Sequence, residues 1–251
     1  MPLSLAAILG LLLGSFYSVC ASRYGTGATI LRPARSQCPQ CGHQLGIREN
    51  IPLLSYMIQR GRCRHCATRI PIFYPVIELC SATWATLTAL HTADPIQWGV
   101  LMIVGGICIV AAAIDLRTFL LPDILTGTGA VVVLVASWMG WLPVPFTDAL
   151  VGGAIGAAVL WGLAALFKKA RNIDGLGLGD VKFMGMLGAL TGWQHLSFLF
   201  LLASTSALLF ALVTLRGQKN MRTIPIPFGP FLAFGAAITV LYGEQMQALL
   251  Y

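Results

Sequence analysis

The sequence predicts an all-α polytopic membrane protein. It has about eight transmembrane helices and a small zinc-binding cytoplasmic insert between the first and second. Three observations lead there. Of 251 residues, 57% are hydrophobic and only 10% charged, where soluble domains carry about 25% charged residues. The apolar residues form eight runs, most near the roughly 20 residues a spanning helix needs. All 16 Lys and Arg fall in every second segment between those runs, the positive-inside pattern.

Residues 3–21 are the first run, entered without a basic segment before it. That makes a poor cleavable signal peptide and reads as a first membrane helix with its N-terminus outside. Residues 22–74 are polar, basic and cysteine-bearing, and form the insert. The second run, 75–93, carries Glu78 near its start, and the third, 96–114, ends on Asp115. The fourth, 124–142, is entered through Leu121-Pro122-Asp123; the fifth is 149–167. The sixth, 181–193, is short and glycine-rich, and spans only if it continues into the glycines before it. Runs 196–215 and 226–242 complete the set. The expected division is a first helix (1–21), an insert (22–74) and a seven-helix core (75–251).

The inside segments are then 22–74, 115–123, 168–182 and 216–225. The outside segments hold no Lys or Arg, only acids such as Asp94, Asp148 and Glu244. The net charge of +7 is therefore an orientation signal, and no nucleic-acid partner is expected. Glycines four apart, Gly10/Gly14, Gly152/Gly156 and Gly188/Gly192, suit close helix packing.

The chemistry gathers on one face. Gly175-Leu176-Gly177-Leu178-Gly179-Asp180-Val181-Lys182 delivers a carboxylate to the edge of an apolar run, with glycines leaving room beside it. Asp115 and Asp123 lie on the same predicted face. Ionisable groups at membrane depth are costly and usually line a cavity. Two carboxylates facing one cavity suit an aspartic protease: one takes a proton from the attacking water, the other donates to the carbonyl and the leaving amine. Like charges that close share a proton. Helix dipoles favour charge at a helix start and disfavour it at a helix end, so the sequence puts the shared proton on Asp115. Helix caps, or a transporter relaying protons, are the competing readings; a relay wants acids in mid-span, and there are none.

Seven cysteines include two C-x-x-C pairs, Cys38/Cys41 and Cys63/Cys66, separated by 21 residues. That spacing reads as a four-cysteine zinc site, closed and therefore structural. His43 and His65 read as bystanders. An insert of this size has little core, so the metal holds it folded.

These motifs together resemble those of the prepilin peptidases, or type IV leader peptidases, which are membrane aspartic proteases of the G-x-G-D type. The resemblance runs from Gly14-Ser15-Phe16 through Cys38-Pro39-x-Cys41, Asn50-Ile51-Pro52-Leu53-Leu54-Ser55-Tyr56, Arg60-Gly61-Arg62-Cys63-x-x-Cys66 and Tyr74-Pro75-x-x-Glu78. It continues through Asp115 with Leu121-Pro122-Asp123, Gly177-x-Gly179-Asp180-x-Lys182, and Pro227-Phe228-Gly229-Pro230 as far as Gly235. It implies that Asp115 and Asp180 are catalytic, with Asp123, Gly177, Gly179 and Lys182 supporting the site. It implies cleavage of a basic leader from type IV prepilins or pseudopilins at the cytoplasmic face of the bacterial inner membrane. It further implies S-adenosylmethionine-dependent methylation of the new N-terminus, with Glu78 linked to that step, and a role in pilus assembly or type II secretion. A peptidase without methyltransferase activity is the alternative. The chain departs from the family after Phe16, where Tyr24–Leu31 looks like an insertion. No glycine-rich fingerprint for a methyl donor is visible.

Overall fold

A computed structural model describes residues 2–26, 35–171, 177–216 and 225–248. Among these residues every extended element is a helix; the sole β pairings are two isolated bridges in the insert. Arg32, Lys219 and Arg222 of the inside segments, and Gly175 and Leu176 of the glycine run, lie outside the described residues.

Each of the eight apolar runs folds as a helix: α1 (Leu3–Arg23), α3 (Phe73–His91), α4 (Pro95–Thr118), α5 (Asp123–Trp138), α6 (Phe146–Arg171), α7 (Leu178–Thr191), α8 (Leu196–Thr214) and α9 (Gly229–Ala248). A helical turn, Ile47–Glu49, and one short α-helix, α2 (Leu54–Ile58), lie in the insert. Four stretches are long and apolar enough to cross a membrane: Leu3–Arg23, Pro95–Thr118, Phe146–Ala170 and Trp193–Thr214. Four candidate spans are thus supported, fewer than the eight expected. The shortfall has a physical cause in two helices. At 1.5 Å per residue, α7 is about 21 Å long and α5 about 24 Å, against a hydrocarbon core of about 30 Å.

The chain divides into two compact units, Met1–Trp98 and Gly99–Tyr251. In the first, α1 packs along α3. Glycines make that contact possible. A Cβ on Gly10 would sit 2.7 Å from the Ala82 Cα, and one on Gly14 would sit 2.7 Å from the Glu78 Cα. The indole of Trp98, in the first turn of α4, ties that turn to the middle of α3 by donating to the Ala85 carbonyl, 3.0 Å away.

The start of α4 follows from its sequence. Asp94 accepts the Ile96 and Gln97 amides at 3.0 and 3.3 Å, and Pro95 supplies a preset φ at the first helical position.

In the second unit α7 is the hub, packed against α5, α6 and α9. Phe183, Met184, Met186 and Leu187 are fully buried. Gly152 of α6 and Gly188 of α7 meet backbone to backbone, as their spacing suggested. Away from these contacts, α6 and α8 show Trp161, Leu163, Leu201, Leu208 and Val213 to the surroundings. Exposed apolar side chains in that number suit lipid rather than water. Ser204, Thr205, Ser206 and Thr214 of α8 return their hydroxyl protons to carbonyls one turn back, which satisfies them in a medium without water.

Candidate active site

Asp115 sits in the last turn of α4, 4% exposed. The helix ends three residues later because Phe119 takes a left-handed conformation, φ 55°, while its amide still reaches the Asp115 carbonyl at 2.9 Å. Leu120, Leu121 and Pro122 turn the chain, and α5 starts on Asp123. The seven residues between the two aspartates are thus a helix end, a tight turn and a helix start.

Asp180 lies in the first turn of α7, whose N-cap is Gly177. A Cβ on Gly177 would stand 3.4 Å from the Asp180 Oδ2. Gly179 is needed for a specific approach. A Cβ there would stand 2.9 Å from the Leu121 Cβ, so only glycine lets α7 settle against the turn that follows Asp115.

A third element completes the site. The Gly229 amide, at the start of α9, donates to Asp115 Oδ2 at 2.9 Å. A Cβ on Gly229 would be 2.8 Å from that oxygen and 3.2 Å from Leu121 Cδ2. Leu121, 9% exposed, is therefore the wedge on which Gly179 and Gly229 both close. Sequence reasoning assigned no role to either Gly229 or Leu121. Both stand in motifs that carry the family resemblance, Leu121-Pro122-Asp123 and Pro227-Phe228-Gly229-Pro230, and Pro230 favours the first turn of a helix, which places a helix start at Gly229. That helix start also changes the dipole argument. Asp115 lies near the end of α4 but also at the beginning of α9, so two opposed dipoles meet there and no longer single it out as the proton holder.

Asp123 and Lys182 pair with each other, Nζ to Oδ2 2.7 Å, with both side chains largely exposed. They border a mostly apolar groove of about 400 Å³ between α5, α6 and α7.

In the first unit, Glu78 is 8% exposed. It accepts the Leu53 amide at 2.8 Å, and the Ser15 hydroxyl also acts on it. Leu53 holds a positive φ of 58°, unusual for a leucine, so Glu78 anchors a strained turn rather than lying idle at an interface.

The four cysteines converge. Two knuckles of the same design carry them. The Cys38 amide donates to the His43 carbonyl and the Cys63 amide to the Thr68 carbonyl, at 2.9 and 2.8 Å, and Gly42 and Ala67 take the positive φ each turn needs. The sulfurs lie within 4.8 Å of one another, and Cys38 Sγ and Cys66 Sγ are 3.7 Å apart. Sulfurs bound tetrahedrally to zinc at about 2.3 Å are about 3.8 Å apart, so the cluster fits that ion. The Thr68 hydroxyl and amide hold the Cys66 thiol down to about 6, ready as a thiolate at neutral pH.

Residues 8–92 match the bacterial peptidase A24 N-terminal domain, and residues 102–212 match the type IV leader peptidase family. A Burkholderia pseudomallei protein named prepilin leader peptidase/N-methyltransferase is 38% identical over 100% of this chain and 88% of its own. Proteins of the same name from Pseudomonas putida and Pseudomonas aeruginosa are each 34% identical; the matches cover 98% and 95% of this chain and 92% and 90% of theirs. No solved structure matches. With relatives this similar across nearly the whole length, the chain belongs to the type IV leader peptidase family.

Proposed function

We propose that this protein cleaves the basic leader from type IV prepilins or pseudopilins and methylates the N-terminus that cleavage exposes. The observation that carries the peptidase reading is that Gly179, next to Asp180, closes on Leu121 in the turn after Asp115, while Asp115 itself accepts the amide of Gly229. Two carboxylates brought to one poorly solvated site are costly to ionise together unless they share a proton, and a shared proton is what acid–base hydrolysis of an amide needs.

In this mechanism the ionised member takes a proton from water while the water oxygen attacks the scissile carbonyl carbon. The protonated member hydrogen-bonds the carbonyl oxygen as it becomes a tetrahedral alkoxide. As the C–N bond breaks, a proton passes to the leaving amine and the carbonyl reforms. The Gly229 amide fixes one oxygen of Asp115 and leaves the other outside that bond. Gly177 leaves the approach to Asp180 free of a side chain, and Gly179 lets the start of α7 close on Leu121. Asp123 and Lys182 hold the starts of α5 and α7 together beside it. The apolar groove between α5, α6 and α7 suits the hydrophobic helix that follows a prepilin leader.

The thiolate cluster holds a structural zinc ion through Cys38, Cys41, Cys63 and Cys66; four thiolates leave no open position for catalysis. S-adenosylmethionine supplies an electrophilic methyl group to the new amine. No cradle for it is identified among the described residues, and methyl transfer rests on family membership. Glu78, a buried carboxylate, is the residue we link to that half of the activity. The working topology is eight spans in the bacterial inner membrane, with a periplasmic N-terminus and a dyad open to the cytoplasm. The parts are the first helix, the insert of residues 22–74 and the core of residues 75–251.

Intact mass of a prepilin co-expressed with the wild-type chain tests the proposal. Loss of the leader with gain of one methyl group supports both activities. Loss of the leader alone leaves a peptidase, and an unchanged mass refutes the reading.

A further inference from the structure

The insert shows to its surroundings a patch that the four-cysteine site does not need. Ile47 is 90% exposed, Met57 71% and Ile58 65%, and Ile51 and Leu54 are exposed with them. Leu54, Met57 and Ile58 are spaced to share one side of α2, and the turn that carries Ile47 packs on that helix. Arg48, Arg60, Arg62, Arg64 and Arg69 are all exposed too. Glu49 is the one acid in residues 22–74. Its two oxygens face the imidazoles of His43 and His65, at 3.5 and 3.7 Å. The insert thus combines bare apolar side chains with a surplus of positive charge.

The helices of the same unit fix where that patch sits. Gly10 of α1 meets Ala82 and Ala85 of α3, and Gly14 meets Glu78 and Ser81. The two helices are therefore antiparallel, and the insert leaves α1 and enters α3 at the same end of the pair. α1 is long and apolar enough to cross a membrane, so that end lies at a bilayer surface. Glu78 then sets the depth. It accepts the Leu53 amide at 2.8 Å, which holds the start of α2 beside α3 about 7.5 Å along that helix from Phe73. At the same level α3 turns Val76 and Leu79 outward. The exposed side of α2 is thus held level with the first apolar turns of a membrane helix.

We propose that residues 47–58 are an interfacial anchor, whose apolar side chains enter the headgroup–acyl boundary of the bilayer while the surrounding arginines bind anionic lipid headgroups. Amphipathic segments rich in basic residues bind membranes in this way, by apolar burial together with attraction to anionic lipid. Guanidinium groups pair bidentately with phosphate. Charge selects lipid over the peptide substrate proposed above, because a basic leader and an arginine-rich surface repel each other. Lipid on one side and Glu78 on the other then restrain the Leu53 turn, which holds its φ of 58°.

Hydrogen exchange of the full, zinc-loaded chain in lipid nanodiscs tests the anchor. A five-residue helix such as α2 has little stability of its own, so exchange of its amides reports what covers it. Exchange over residues 47–58 is expected to be slow in discs of mixed phosphatidylglycerol and phosphatidylcholine, and faster in phosphatidylcholine alone. Arg48→Gln combined with Arg60→Gln should speed exchange in the anionic discs by roughly 10- to 30-fold, from the attraction each basic residue adds at an anionic surface. Met57→Ser combined with Ile58→Ser should lose the protection in both lipids while elemental analysis still finds the zinc. Equal exchange in both lipids, unchanged by the arginine substitutions, overturns the proposal; the patch is then either bare or covered by the rest of the chain. Protection that appears only when prepilin is added, or only when two chains share a disc, overturns it as well, and assigns the patch to substrate or to a second copy.

Discussion

Replacing Gly229 by alanine should slow leader cleavage by roughly 10- to 100-fold without weakening the fold. The added Cβ would lie 2.8 Å from Asp115 Oδ2 and 3.3 Å from its Cγ, closer to the oxygen than real Cβ atoms come. Leu121 Cδ2, 3.2 Å away, blocks retreat on that side. Either the Asp115 carboxylate swings off or the start of α9 lifts, and in both cases the 2.9 Å bond from the Gly229 amide is lost. A hydrogen bond to a charged group contributes about 1.5–3 kcal/mol, and each ~1.4 kcal/mol is tenfold in rate. Helix propensity points the other way, since alanine is better than glycine in a helix by up to about 1 kcal/mol. The variant thus separates site geometry from general stability. Initial rates of leader removal from a detergent-solubilised prepilin, set beside thermal unfolding of the same preparation, measure both. Wild-type cleavage by Gly229→Ala would refute the reasoning. Equal loss of activity and stability would show that Gly229 serves only packing.

Three further outcomes follow from the same contacts. Gly14→Val should lower the thermal stability of the purified chain, because its Cβ would meet the Glu78 Cα at 2.7 Å and the Ser81 Cβ at 2.9 Å; overpacking of this kind costs about 1–3 kcal/mol. Lys182→Met should change stability by less than about 1 kcal/mol in the same assay, since its pair with Asp123 is solvent-exposed. Cys63→Ser should abolish bound zinc by elemental analysis and expose residues 35–72 to protease, as should a strong chelator on the wild type. Acid should do the same. Protons compete with the metal for the four thiolates, so affinity falls as pH falls.

Much of the architecture can be read from one-dimensional pattern. Apolar runs set the helices, and C-x-x-C spacing set the knuckles, because both are local. Asp115 and Asp180 were also legible, since each stands where an apolar run meets a turn. Less legible was what holds them. The Gly229 amide is 114 positions from Asp115, and nothing in the periodicity of either helix reports a contact at that range. Leu121 reads as one more apolar residue in a turn, and its role as a wedge emerges only when Gly179 and Gly229 close on it. His43 and His65 read as idle because spacing counts neighbours along the chain. Their meeting with Glu49 arises from the two knuckles folding together. The sixth run was correctly short, but only its burial against α5, α6 and α9 explains how a 14-residue helix can carry a catalytic candidate.

The central claim is that Asp115 and Asp180 act as one unit, and a cleavage assay on single and double Asp→Asn variants tests it most directly. Each variant is first checked for membrane insertion and bound zinc, then supplied with prepilin under single-turnover conditions. Residues acting together are non-additive. Asp115→Asn, Asp180→Asn and the double variant should therefore all leave the leader uncut to the same extent, with Asp123→Asn still active. Wild-type cleavage by either single variant, or losses that simply multiply in the double variant, would contradict the account.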